Sequence, residues 1–212
     1  DSNTVFVGPL IENYYMHGTT PSIYKPVLKA FTLGGNAAAY GASTDTGAGW
    51  VYKADNGLSI SSNIGTKSKS TLEDANENYV ESGLLTDQTK TSWANQIGIT
   101  KDQWSVSAMV NLKYNDWGDS YFSTATGDDR NENSTNYGLR AWWRPADSGT
   151  ATPEVSVGYD YSVLDGYATN DTTDAFFVGL TWLDTFNADD RIGIAFGQPQ
   201  MRENTGAEPF MY

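Results

Sequence analysis

The feature that most constrains this chain is an unbroken alternation of apolar and polar residues from Trp104 to Tyr114. It sets Trp104, Val106, Ala108, Val110, Leu112 and Tyr114 against Ser105, Ser107, Met109, Asn111 and Lys113. Successive side chains of an extended chain point to opposite sides, so the run reads as a strand with one apolar and one polar face. Its length fits the ~9–11 residues of a tilted membrane-crossing strand better than the ~5–6 residues usual in a soluble sandwich. Aromatic residues begin and end its apolar face.

The pattern recurs along the chain. Tyr137, Leu139, Ala141 and Trp143 alternate with Gly138, Arg140, Trp142 and Arg144, and Val155, Val157, Tyr159, Tyr161 and Val163 alternate with Ser156, Gly158, Asp160 and Ser162. Phe176, Val178, Leu180 and Trp182 follow, then Ile192, Ile194 and Phe196. Upstream, Asp55-Asn56-Gly57 predicts a hairpin turn of type I′, because Asn-Gly takes positive φ angles readily. It would join Thr46–Ala54 to Leu58–Ser68, and with Thr91–Thr100 and Thr4–Val7 the total is about nine strands. Tight turns at Asp55–Gly57, Lys101–Gln103, Pro145–Pro153 and Asp184–Asp190 interleave with longer connections at Gly8–Asp45, Lys69–Lys90 and Asn115–Thr135. Leu164–Thr172 should be long and is not. Short turns on one side and long loops on the other are what an outer-membrane barrel shows.

Charge inside the strands follows the same parity. Lys53, Lys67, Lys113, Arg140, Arg144, Glu154, Asp160 and Arg191 all fall opposite the apolar face, and Asp174, at a strand end, is the exception. A soluble barrel or sandwich would show this too, but here the polar face is mostly Ser, Gly, Asn and Arg, with few side chains able to fill a core. No run of ~18 apolar residues is present, which excludes a spanning helix and leaves a barrel as the membrane architecture compatible with the sequence. The expected fold is therefore all-β, an antiparallel transmembrane β-barrel, with residues 1–212 an incomplete portion of it. An odd strand count does not close a single-chain bacterial barrel. The alternative is an extracellular carbohydrate-binding β-sandwich, its Trp- and Val-rich faces packed together and Trp50, Trp142 and Trp182 available to stack on sugars.

Composition removes several functions. With 26 acidic and 13 basic residues the net charge is −13, the wrong sign for a nucleic-acid partner. Cysteine is absent and His17 is the one histidine, which excludes thiol catalysis, disulfides and multi-histidine metal centres. Without a nucleophile motif beside His17, no enzyme and no cofactor are expected. The start Asp1-Ser2-Asn3-Thr4 lacks the basic and apolar regions of an export signal, so any such signal is expected to have been removed.

The blocks Tyr137-Gly138-Leu139-Arg140-Ala141-Trp142-Trp143-Arg144-Pro145, Gly149-Thr150-Ala151-Thr152-Pro153 and Val155-Ser156-Val157-Gly158-Tyr159-Asp160 resemble the cyanobacterial outer-membrane porins of the OprB-like, carbohydrate-selective porin superfamily. Thr4-Val5-Phe6-Val7-Gly8-Pro9 and Phe31-Thr32-Leu33 through Gly47-Ala48-Gly49 look like earlier parts of the same barrel. The likeness covers most of the chain and rests on strand grammar and short blocks. It implies an outer-membrane location, a homotrimer of barrels of about sixteen strands, and contact with membrane lipid and lipopolysaccharide. It further implies a water-filled channel for passive diffusion of small hydrophilic solutes, ions and sugars among them. Peptidoglycan would be held only through an amino-terminal S-layer-homology domain, which these residues do not include.

Three groups of residues are candidates for function. Lys53, Lys113, Arg140, Arg144 and Asp160 would line the pore, Arg140 and Arg144 on one side of one strand with Lys113 and Asp160 on its neighbours as a charged wall. Solvated residues far from any constriction would show the same pattern. Tyr14, Tyr15, His17, Tyr24 and Lys25 lie in a long aromatic segment suited to a loop folded into the pore, and equally to a loop packed on its own rings. Asp128, Asp129, Asn131 and Glu132 supply oxygen ligands but miss the EF-hand spacing, so no metal site is assigned to them.

Overall fold

The computed structural model describes residues 1–8, 11–12, 39, 43–44, 46–68, 89–115, 133–165 and 171–202. Its elements are β1 (Ser2–Gly8), β2 (Ile11–Glu12), β3 (Ser43–Thr44), β4 (Thr46–Lys53), β5 (Leu58–Ser68), β6 (Thr89–Thr100), β7 (Trp104–Tyr114), β8 (Ser134–Trp143), β9 (Glu154–Leu164), β10 (Thr172–Leu183) and β11 (Arg191–Arg202). Nine of these form one antiparallel sheet in the order β1-β4-β5-β6-β7-β8-β9-β10-β11, and β2 pairs with β3 separately. Within β4–β11 every strand pairs with its sequence neighbour, the up-and-down order expected when short hairpins connect long strands. Among the described residues β1 and β11 form the two edges and do not pair with each other, so the observed architecture is an open sheet and not a closed barrel.

The alternation dictates which side of the sheet each residue takes, and the two sides are inverted relative to a soluble sheet. The polar face is buried: Ser105, Ser107, Asn111 and Lys113 of β7, Asn136 and Arg140 of β8, and Ser156, Asp160 and Ser162 of β9 are almost inaccessible. The apolar face is bare, with Val106 53%, Leu139 55% and Ile194 61% exposed. No second sheet covers that face among the described residues, which counts against the sandwich. Trp50, Trp142 and Trp182 also fail to share a face: Trp142 is buried on the polar side and the other two stand on the apolar side. Outward-facing aromatics stand at strand ends, as Trp104, Tyr114 and Trp143 do, and also at mid-strand, as Trp50, Tyr159 and Phe196 do. Trp104 and Trp143 are cross-strand partners at the tight-turn end, and Tyr137 and Tyr161, partners near the other end, stack with centroids 6.5 Å apart.

The β4–β5 turn differs from expectation. Only Gly57 takes a positive φ, +87°, while the Gly57 amide donates to the Ala54 carbonyl and Leu58 N–H to Asn56 Oδ1. This is a three-residue loop with glycine at the left-handed position and not a type I′ turn. A Cβ at Gly57 would collide with the Thr100 carbonyl of the adjoining hairpin, so close approach as well as φ selects glycine.

In the Asp184–Asp190 turn, Asp184 and Asp189 take left-handed φ angles of 54° and 69°. The Asp190 carboxylate accepts the Thr185, Phe186 and Asn187 amides at 2.7, 2.8 and 3.0 Å. Near the other end of the β10–β11 ladder an extra residue in β11 shifts the register between Asp174 and Phe176. Pro199 lies in the bulged stretch, on an edge strand where its missing N–H is tolerated. Beyond the bulge the parity reverses and Gln200 is buried with the polar face.

Candidate functional site

The polar face is the candidate site, and it is organised in two tiers. Near the non-hairpin ends of the strands a chain of side-chain hydrogen bonds runs across the sheet. Ser92 Oγ of β6 donates to Asn111 Oδ1 of β7 at 2.9 Å, and Asn136 Nδ2 of β8 donates to the Asn111 carbonyl at 3.2 Å. Ser162 Oγ of β9 donates to Asn136 Oδ1 at 2.6 Å, and Gln200 Nε2 of β11 donates to Ser162 Oγ and to Thr173 Oγ1 of β10. Asn111 Nδ2 also donates to the Ala39 carbonyl at 3.1 Å, so a residue far away in sequence sits against this face. Buried amides and hydroxyls are tolerated when partnered in this way.

The second tier is an ion pair. Arg140 Nη2 of β8 lies 2.8 Å from Asp160 Oδ2 of β9, with both side chains only 1% exposed. Arg140 Nη1 donates to the Leu139 and Tyr159 carbonyls at 2.9 and 3.3 Å. The guanidinium sits 5.4 Å from the centroid of the Phe177 ring of β10. Arg140 and Phe177 are both register partners of Gly158, one on each side. A Cβ on Gly158 would meet the Phe177 ring and, at 2.9 Å, Arg140 Cδ. Glycine here is what lets ring and guanidinium meet across β9.

The structure brings two of the five pore-lining candidates into contact. Arg140 and Asp160 come together and neutralise one another, but the other three pore-lining candidates stand apart. Lys113 is fully buried and lies further along β7 than Ser107, the partner of Arg140, by about 20 Å of strand. Arg144 falls beyond β8, which ends at Trp143. There its Nε donates to the Asp102 carbonyl at 2.8 Å and its guanidinium lies 5.6 Å from the Trp142 ring. Lys53 keeps the polar parity but is exposed at the end of β4. The reason is common to all: parity sets a face, whereas depth along the strand and the neighbour met there follow from register. Tyr14, Tyr15, His17, Tyr24, Lys25, Asp128, Asp129, Asn131 and Glu132 lie outside the described residues.

Accessible charge collects instead at the tight-turn end. Two open clefts of about 520 and 640 Å³ meet there, sharing Asp102 and Arg144; Asp147 and Glu154 line one, Asp55 and Lys101 the other. Lys101 Nζ donates to the Asn56 carbonyl at 2.6 Å. Phe177 is the residue that sequence reasoning missed. Its signal was an aromatic on the polar parity, between Ala175 and Gly179, with a glycine as its neighbour across the sheet. No family model matches the chain, and neither a curated protein nor a solved structure matches it.

Proposed function

We propose that this sheet is part of the wall of an outer-membrane β-barrel through which small hydrophilic solutes pass by passive diffusion. The observation that carries the reading is the inversion of the two faces: charged and amide side chains are buried on one side while valine, leucine, isoleucine, tryptophan and tyrosine are bare on the other. In water such a bare face would be a large aggregation-prone surface, whereas in lipid it is the favourable one. Strands of 11–12 residues in β7, β9, β10 and β11 have the reach for a tilted crossing, and Trp104 and Tyr114 at the two ends of β7, with Trp182 near the end of β10, suit the two membrane interfaces. The likeness of the Tyr137–Asp160 blocks to carbohydrate-selective porins agrees with this reading, and lipopolysaccharide and membrane lipid would be the natural neighbours of the apolar face. Transport of this kind needs no covalent chemistry.

The test is extraction followed by conductance. The protein should stay with the membrane until detergent is added, change mobility on heating, and give discrete conductance steps in planar bilayers. A monodisperse protein in detergent-free buffer that gives no steps would overturn the proposal.

A further inference from the structure

Acidic residues outnumber basic ones by 26 to 13 in this chain, yet β4, β5, β6, β7 and β8 contain no acidic residue at all. They carry Lys53, Lys67, Lys90, Lys113 and Arg140, all at polar-face parity. Arg140 is compensated by Asp160 of β9, and Lys53 stands at the tight-turn end. The remaining three gather at the non-hairpin ends of β5, β6 and β7. Lys67 is the register partner of Lys90, and Lys113 is the partner of Ser92, the next polar-face residue along β6, which makes Lys113 the diagonal neighbour of Lys90. Directly opposed residues of an antiparallel pair have Cβ atoms about 5 Å apart, and diagonal neighbours about 7–8 Å. Lys90 is half-buried and Lys113 fully buried.

Like charges placed directly opposite on a ladder destabilise it, so a cross-strand lysine pair with a third lysine beside it is an arrangement that an anion stabilises. On the channel reading proposed above, on which this inference rests for the face that solutes meet, the polar face is the one turned from lipid. We infer that Lys67, Lys90 and Lys113 form a binding site for a soluble tetrahedral oxyanion, phosphate or sulfate. Ammonium groups on flexible four-carbon stems meet at one centre from different directions and bring three donors each, which suits oxygens spread over a tetrahedron. Around Lys113 the neighbouring strands supply hydroxyls and amides, Ser92 and Ser134 as its register partners with Asn111 and Asn136 next along β7 and β8, and these strands add no carboxylate to repel the anion. A headgroup phosphate would approach from the opposite face, so the ligand is a free ion. Counter-charge from a carboxylate elsewhere in the chain is the competing arrangement, and it would leave added phosphate nothing to bind.

The full chain would be folded in detergent and titrated calorimetrically with inorganic phosphate in buffered sodium chloride, where diffuse attraction between distant charges is screened. The expected result is saturable binding for which sulfate competes. Lys90→Gln should weaken it about tenfold, the change that losing one charge-assisted hydrogen bond makes in a dissociation constant. Lys90→Arg, which keeps the charge, should restore it. Arg191→Gln, an equal change of charge exposed at the tight-turn end of β11, should leave it as it was. No saturable phosphate binding by the parent, or the same loss from Arg191→Gln as from Lys90→Gln, overturns the site. Far-UV circular dichroism checks each variant, and if Lys90→Gln is misfolded Lys67→Gln carries the comparison. Planar-bilayer recordings on the same preparation separate the two readings. Conductance steps without phosphate binding remove the site and leave the channel, whereas phosphate binding without steps leaves the site and removes the channel.

Discussion

The Arg140–Asp160 pair makes a quantitative demand on the fold. Replacing Asp160 with alanine leaves a guanidinium that is 1% exposed, supported by the Leu139 and Tyr159 carbonyls and the face of Phe177. Removing one partner of a buried pair costs about 3–5 kcal/mol, because the remaining charge has lost its compensation and does not regain water. The two carbonyls and the ring soften that loss, cation–π contact alone being worth up to about 2 kcal/mol when desolvated, so about 3 kcal/mol is expected here. With a urea slope of about 2 kcal/mol/M, the unfolding midpoint should fall by about 1.5 M. The assay is urea unfolding in detergent or lipid, followed by the fluorescence of the seven tryptophans. The control is Arg140→Met with Asp160→Leu, which removes both charges while keeping apolar bulk over the Phe177 ring. It should unfold within about 1 kcal/mol of the parent, since well-packed apolar replacements of a buried pair are commonly neutral or better. A midpoint unchanged by Asp160→Ala, or a double variant as damaged as the single, would refute the idea that compensation between these charges matters.

Three further outcomes follow from the geometry. Val106→Arg, on the bare apolar face, should cost about 2–4 kcal/mol of folding into vesicles if that face meets lipid, against about 0.5 kcal/mol for an exposed substitution in water; vesicle refolding titrations separate the two. Hydrogen bonds from the Asn187 amide first, and from those of Phe186 and Thr185, hold the Asp190 carboxyl below its usual range. Its stabilising contribution is therefore fully present above the unfolded carboxyl's pKa of about 3.9 and is lost as pH falls through the lower folded value. Asp190→Asn should flatten that part of an acid-unfolding curve, and identical curves would show the turn contributes nothing. On the proposed channel reading, Arg144 is exposed in the clefts at the tight-turn end while Asp160 compensates Arg140, so Arg144→Ser should shift the reversal potential toward cations, and the double Arg140→Met, Asp160→Leu variant should shift it less. Bilayer recordings under a salt gradient would show whether that order holds.

Much of this fold was legible in the residues because it rests on local rules. The backbone pleat forces a period of two, so the Trp104–Tyr114 run delimited β7 at its observed ends and sorted its residues correctly between faces. Glycine at position 57 and the short spacers around 101–103 and 184–190 located the hairpins, since turn geometry depends on a few adjacent φ angles. The exact turn type at Asp55–Gly57 did not follow, because the Thr100 carbonyl that crowds Gly57 comes from another hairpin. Register decided the rest. Whether Arg140 met Lys113 or Asp160, whether Phe177 could lie across Gly158, and whether the β11 bulge would bury Gln200 all depend on how neighbouring strands align. That alignment is set by pairing over whole strands, and no single strand encodes it. Alternation alone likewise declares two unlike faces without saying which is covered. Only the assembled sheet showed the polar one buried and the apolar one bare, because burial belongs to surfaces that meet in space and not to a residue's place in the chain.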